Sequence, residues 1–181
     1  FEPGDDTTVC VLKAVKPKKV KLFTGPPSHK EDDAKVVHEL MTNADIRIVS
    51  GGTTSQIVAR ELGVEVKSST EIYDKEVPPI AYIHGINLVT EGVLTLSKTI
   101  DRLKSLSKSL DSNIFKAKDG ASQMAKLLYS ASHIKLLVGR SLNIANAEIS
   151  FQRDLELRLH VIGELEKILV KLGKIVTIEY Y

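Results

Sequence analysis

From residue 20 onward the chain follows a rhythm: a short β-branched and apolar run, a loop holding glycine, then a run with helical spacing. Residues 20–23 (VKLF) end in Thr24-Gly25-Pro26-Pro27, and residues 46–49 (IRIV) end in Ser50-Gly51-Gly52-Thr53-Thr54. Residues 86–89 lead to Thr90-Glu91-Gly92, and residues 134–138 (IKLLV) lead to Gly139-Arg140-Ser141-Leu142-Asn143. Helical spacing follows the first three loops, at Ala34, Val36, Val37, Leu40 and Met41, over residues 55–62 with Gly63 as the terminator, and at Val93, Leu94, Leu96, Ile100, Leu103 and Leu106. A further helix is predicted over 120–131, and short strands over 64–67 and 80–83. The strongest helix comes last: Arg158, Val161, Ile162, Leu165, Ile168, Leu169 and Leu172 share one mostly apolar face, closed by Gly173 before a strand over 174–180. Strands alternating with helices through short loops predict an α/β chain. The expected architecture is a three-layer, mostly parallel, Rossmann-like sheet with helices on both faces. In such a sheet the loops that leave parallel strands meet at the carboxyl edge, where open α/β sheets bind ligands.

Composition narrows the function classes. With 181 residues, 43% of them hydrophobic, the chain can bury a core, and disorder is excluded. Its single cysteine, Cys10, allows neither an intramolecular disulfide nor a cysteine-based zinc site, which makes the cytoplasm the default compartment. A net charge of +2 and only 5% aromatic residues supply neither the phosphate-neutralising patch nor the stacking platform that nucleic acid needs. No apolar run approaches the ~20 residues of a membrane helix. The opening Phe-Glu-Pro-Gly-Asp-Asp lacks the pattern of a signal peptide.

The candidate site lies in the strand-end loops. Gly51-Gly52-Thr53-Thr54 suits an anion: glycines permit close backbone approach, and the following helix start offers free N–H groups and a positive dipole end. The alternative is a tight turn with Thr53 or Thr54 as the helix N-cap. No lysine follows the glycines, so the loop is not a Walker sequence. Thr24 and Gly25 sit in the equivalent loop after the first strand. Thr90 can cap the next helix, and Glu91 either favours that helix start or reaches a ligand hydroxyl. Arg140 can hold a phosphate or carboxylate bidentately, or be an ordinary surface arginine. His84 is the best candidate general base, with an ordinary loop histidine as the alternative. His29, His38, His84, His133 and His160 lack metal-ligand spacing, and Ser50, Ser55 and Ser141 lack a nucleophile elbow. Asp5-Asp6 is a paired carboxylate that can contribute to a divalent-cation site but cannot complete one.

Gly4-Asp5-Asp6-Thr7-Thr8-Val9, followed by an apolar run to Val15, resembles the closing segment of metal-dependent 2C-type protein Ser/Thr phosphatases. There a G-D-D-x-T motif precedes the last strand of the catalytic core, and one of its aspartates binds the catalytic metal pair. Residues 24–27 (TGPP), 51–54 (GGTT), 85–96 (GINLVTEGVLTL) and the ending 173–176 (GKIV) resemble the extension that follows this motif in some bacterial members of the stage II sporulation protein E family. The resemblance implies two parts. Residues 1–16 would be the terminal strand of a truncated phosphatase domain, and residues 17–181 an α/β C-terminal domain. It implies that Asp5 and Asp6 bind Mg²⁺ or Mn²⁺ only in the intact phosphatase, and that a phosphoprotein is the substrate of the parent enzyme. This chain, lacking the catalytic body, is expected to be inactive and to need no cofactor.

The preferred function is therefore a non-catalytic regulatory domain that binds a small anionic or phosphorylated ligand at the carboxyl edge. Two alternatives stand beside it. A stand-alone α/β enzyme would use Glu91 or His84 as acid–base group. A structural or dimerisation domain would have a filled edge and an apolar interface. The exposed strand over 7–15 would also favour pairing, as in a homodimer.

Overall fold

The computed structural model describes residues 4, 8–12, 14–108, 112–141 and 150–181. Strands β1 (Lys19–Thr24), β2 (Ile46–Ser50), β3 (Lys67–Ser68), β4 (Ala81–Tyr82), β5 (Leu88–Thr90), β6 (His133–Val138) and β7 (Ile175–Tyr180) form one sheet, in the order β3-β4-β5-β2-β1-β6-β7. The stretch β5-β2-β1-β6-β7 is parallel throughout. β4 runs antiparallel to β5, and β3 antiparallel to β4, extending one edge. The parallel strands step outward from β1 through β2 to β5, and the chain then returns to place β6 on the other side of β1. The strand order therefore reverses between β1 and β6, the signature of a doubly wound sheet.

The layers follow from side-chain alternation along buried strands. Phe23, Val49, Val89 and Leu137 face one side, where α1 (Asp33–Met41) buries Val36, Val37 and Leu40, and α2 (Gly52–Leu62) buries Ile57 and Val58. Val20, Leu22, Ile48, Leu88, Ile134 and Leu136 face the other. There α3 (Val93–Lys108) packs Leu96 and Leu103, α5 (Gly120–Ser130) packs Met124 and Leu128, and α6 (Ser150–Lys171) packs Ile162, Leu165 and Leu169. A short α4 (Ser112–Lys116) precedes α5. The apolar face read in the last helix is thus the face α6 buries. Gly63 ends α2 in the left-handed conformation as expected (φ 66°). No helix among the described residues is long and apolar enough to cross a membrane.

Three local expectations are corrected. The strand expected over 7–15 is not found among its described residues, 8–12, 14 and 15, and Val9, Val11 and Leu12 are 80%, 84% and 93% exposed. An apolar, β-branched run becomes a strand only by pairing its backbone groups, and its chain neighbour β1 is a central strand already flanked by β2 and β6. Among the described residues, hydrogen bonds to the sheet begin at Lys18, whose N–H donates to Ser132 Oγ at 2.9 Å. The S-x-x-E order of residues 28–31 predicts a capping box, and none forms; His29 takes the cap position of a 3-10 turn, with no side-chain cap bond. The strand expected over 64–67 is reduced to Lys67–Ser68.

Candidate functional site

At the carboxyl edge, the loops after β1, β2 and β5 open onto one cleft of about 580 Å³. Thr24, Gly25, Gly51, Gly52, Thr53, Thr54 and Glu91 all line it, together with Ser50, Gly92 and Arg158. Seven of the expected site residues therefore meet in one place.

The loop after β2 turns at Gly51, whose φ of 120° is a conformation side chains resist, so the helix starts immediately at Gly52. This corrects the expected N-cap. Gly51 takes that position without a side-chain bond, while Thr53 and Thr54 lie inside the first turn. Ser55 is the first residue of α2 whose N–H finds a helical acceptor, the Gly51 carbonyl at 2.9 Å. The N–H groups of Gly52, Thr53 and Thr54 precede that bond and form the positive end of the helix at the cleft wall. Thr54 Oγ1 accepts the Gly25 N–H at 2.9 Å, which ties the β1 loop to α2.

A second helix starts beside the first. Leu96 N–H donates to the Gly92 carbonyl at 3.2 Å, so the preceding N–H groups of α3 are also outside the helical ladder. The two helix starts nearly touch: a Cβ on Gly92 would lie 3.7 Å from Gly51 Cα. Hydrogen bonds hold them in register, Gly51 N–H to Thr90 O at 2.9 Å and Ser50 Oγ to Glu91 O at 2.8 Å. Thr90 is thus not a helix cap; its hydroxyl donates to the Glu91 carbonyl at 3.0 Å and stiffens the loop. The Glu91 carboxylate has no ion pair or hydrogen bond among the described residues.

The cation lining the cleft is Arg158, from α6 in the same layer as α3. Its Nη1 donates to the Gly139 carbonyl at 3.3 Å and would sit 2.6 Å from a Cβ on Gly25. In the sequence Arg158 falls on the mostly apolar face of the last helix, with no motif that assigns it a role. The signal was present, as a lone charge in an otherwise apolar row.

Two expected site residues lie elsewhere. His84 is in the turn between β4 and β5, at the start of β5 and therefore at the amino edge of the sheet, where a Cβ on Gly85 would meet Met41 Cε at 3.4 Å. Because β4 runs antiparallel, the loop after it points away from the cleft. Arg140 lies over the Tyr180 ring at 5.5 Å and lines a separate groove with Ser28, His29, Asp32 and Lys35. Asp5 and Asp6 lie outside the described residues. Among those residues, no group of three or more His, Cys, Asp or Glu side chains could hold a metal ion.

The main titrating cluster is also remote from the cleft, on the α1 side of β1, β6 and β7. Lys21 Nζ reaches Glu39 Oε1 at 2.5 Å, and Lys135 Nζ bridges Glu39 and Glu179 at 2.8 and 2.6 Å. Hydrogen bonds from Lys135 and then Lys21 hold the Glu39 carboxyl below its ordinary value. Lys135, followed by Tyr181, does the same to Glu179. Burial, then the bond to Glu179, pushes the Tyr181 hydroxyl up.

No family model matches the chain, and neither a curated protein nor a solved structure matches it.

Proposed function

We propose that this chain is the non-catalytic, ligand-binding regulatory domain of a cytoplasmic 2C-type protein Ser/Thr phosphatase, and that it takes a small anionic or phosphorylated ligand in the carboxyl-edge cleft. The observation that carries the ligand reading is the meeting of the α2 and α3 starts, with Arg158, on one cleft. Each helix start concentrates partial positive charge on unpaired N–H groups, and a guanidinium adds charge-assisted donors. The phosphatase assignment rests on the sequence resemblance. The same residues carry both, since the T-G-P-P, G-G-T-T and T-E-G loops of that resemblance each line the cleft.

Two considerations support the non-catalytic part of the proposal. Glu91 at the carboxyl edge and His84 at the amino edge cannot act together on one substrate, because proton transfer needs hydrogen-bond reach. Asp5 and Asp6 supply two carboxylates where Mg²⁺ takes about six oxygens, so these two alone do not make a catalytic metal pair and no step is assigned to one. The filled edge expected of a purely structural domain is not the arrangement at β1, β2 and β5, where the cleft is open.

Thermal unfolding tests the ligand reading. Anything that binds the folded state alone raises the midpoint in a concentration-dependent way. The midpoint is expected to rise with inorganic phosphate, nucleotides or sugar phosphates. If none of them moves it, the ligand reading fails.

A further inference from the structure

Beside the cleft lies a second lobe of about 400 Å³, which shares Gly52, Pro78 and Glu91 with the first. Both volumes lie within the ~300–1,000 Å³ usual for small-molecule sites. We infer that the ligand is a phosphate ester of a hydroxyl-bearing carbon skeleton, a sugar or polyol phosphate, with its phosphate in the first lobe and its hydroxyls in the second. This rests on the anion reading above and adds what the rest of the ligand is.

The two lobes differ in chemistry. Arg158 and the helix starts belong to the first lobe, whereas the second has no cationic side chain in its lining. Its polar side chains are Ser55, Gln56, Ser68, Ser69, Thr90 and Glu91, set against Ile80 and Val89, and the Thr90 hydroxyl is engaged with the Glu91 carbonyl. The hydroxyl of Ser55 is engaged with the Gly52 carbonyl at 2.7 Å, and that of Ser69 accepts from the Glu71 N–H at 3.1 Å. The Gln56 amide, the Ser68 hydroxyl and the Glu91 carboxylate have no protein partner among the described residues. A second anionic group placed here would face Glu91 with no cation to offset it, and like charges at close range repel. A purely apolar group would cover the Gln56 and Glu91 polar atoms and leave them unpaired, which costs free energy. Hydroxyls donate to the carboxylate and both donate to and accept from the amide.

The wall of this lobe is held in place by the protein itself. Residues 69–80 carry it back from β3 to β4, with Ser69 N–H on the Ile80 carbonyl at 2.9 Å. Two ion pairs strap the excursion to α3, Asp74 to Arg102 at 3.1 Å and Glu76 to Lys98 at 2.5 Å.

The test is calorimetric titration of the 181-residue chain with methyl phosphate, glycerol 3-phosphate, ribose 5-phosphate and glucose 6-phosphate, repeated on Glu91→Gln. At least one hydroxylated ester is expected to bind about tenfold or more tightly than methyl phosphate. In Glu91→Gln that ratio is expected to shrink, with methyl phosphate binding more tightly once the like charge is gone. Equal affinity for all four probes overturns the second-lobe assignment and leaves the anion reading standing. A ratio unchanged in Glu91→Gln removes the carboxylate from it and overturns the inference as stated. If no probe binds, the anion reading fails and this inference with it.

Discussion

Two gaps lie along the carboxyl edge of this sheet, and they are filled very differently. Between the ends of β1 and β6, where the strand order reverses, the backbone of Gly25 and Pro26 lies against Gly139. A Cβ at 139 would be 2.1 Å from the Pro26 carbonyl oxygen. Hydrogen bonds seal the contact, Gly139 N–H to Thr24 O at 2.9 Å and Ser141 N–H to Pro26 O at 3.0 Å. The ends of β2 and β5 are also joined, Gly51 N–H to Thr90 O at 2.9 Å, but the space over them is clear, and a Cβ on Gly52 would meet nothing within 4 Å. Glycine closes the first gap by letting two backbones touch and keeps the second open by offering no side chain. Open α/β sheets commonly bind ligands at the switch point. Here that crevice is occupied by the protein's own loop, and the cleft lies across β1, β2 and β5. The lesson is that topology locates the edge, but the loops decide which gap along it is available.

The difference can be broken at Gly139. Gly139→Ala forces a methyl into backbone and is expected to cost about 3 kcal/mol or more, at the upper end for overpacking, or to prevent folding. Urea unfolding measures it, and an unchanged midpoint would mean the two loops are not in contact. Next in size is Arg158→Ala. Hydrogen bonds to charged groups contribute about 1.5–3 kcal/mol, so phosphate affinity should fall about tenfold or more by calorimetry. Gly52→Ala sharpens the comparison from the open side. Its stability should stay within about 0.5 kcal/mol of the parent, as for a substitution without contacts, while phosphate binding weakens because a methyl now stands at the helix start. A large loss of stability would show that the open gap is structural after all.

The smallest expected effect concerns acid. The closed half of the sheet holds the paired carboxylates, Glu39 and Glu179, whereas Glu91 at the open half has no partner among the described residues. Both paired carboxyls lie below their ordinary value of 4.5 when folded. The stability they contribute is complete above that value and is lost as the pH falls through their lower folded-state values. Lys135→Met removes the cation common to both. The variant should be less stable near neutral pH, and its stability should fall less steeply below pH 4.5. Urea midpoints across that range measure the slope; a slope equal to the parent's would assign the acid limb to other groups.

Much of this site was readable in the sequence because its chemistry is local. Gly51-Gly52 and Gly92 mark sharp strand-to-helix turns, and a parallel sheet brings such turns to one edge. The N-cap was not readable from residue preference, because Gly51 at a φ of 120° starts the helix before either threonine can cap it. His84 was misplaced for a directional reason. Residues 80–89 read as two apolar runs whichever way they point, and only the antiparallel pairing of β4 with β5 sends His84 to the opposite edge. The turn signal was there in Gly85, which adopts a φ of 87°. Arg158 was out of reach for local reasoning, since it enters the cleft from α6, far along the chain from the loops after β1, β2 and β5. The run over 7–15 shows the same limit from the other side: β-branched residues specify a strand only when a partner edge exists.

The central claim is that the open gap, and not the sealed one, receives an anion. Amide chemical shifts recorded by ¹H–¹⁵N NMR during a titration with inorganic phosphate test it most directly. The account predicts saturable shifts largest at Gly52, Thr53 and Gly92, smaller ones at Gly139, whose carbonyl Arg158 bonds, and none at Gly85 on the amino edge. Saturable shifts centred on Gly139 and Arg140, with Gly52 and Thr53 silent, would contradict it.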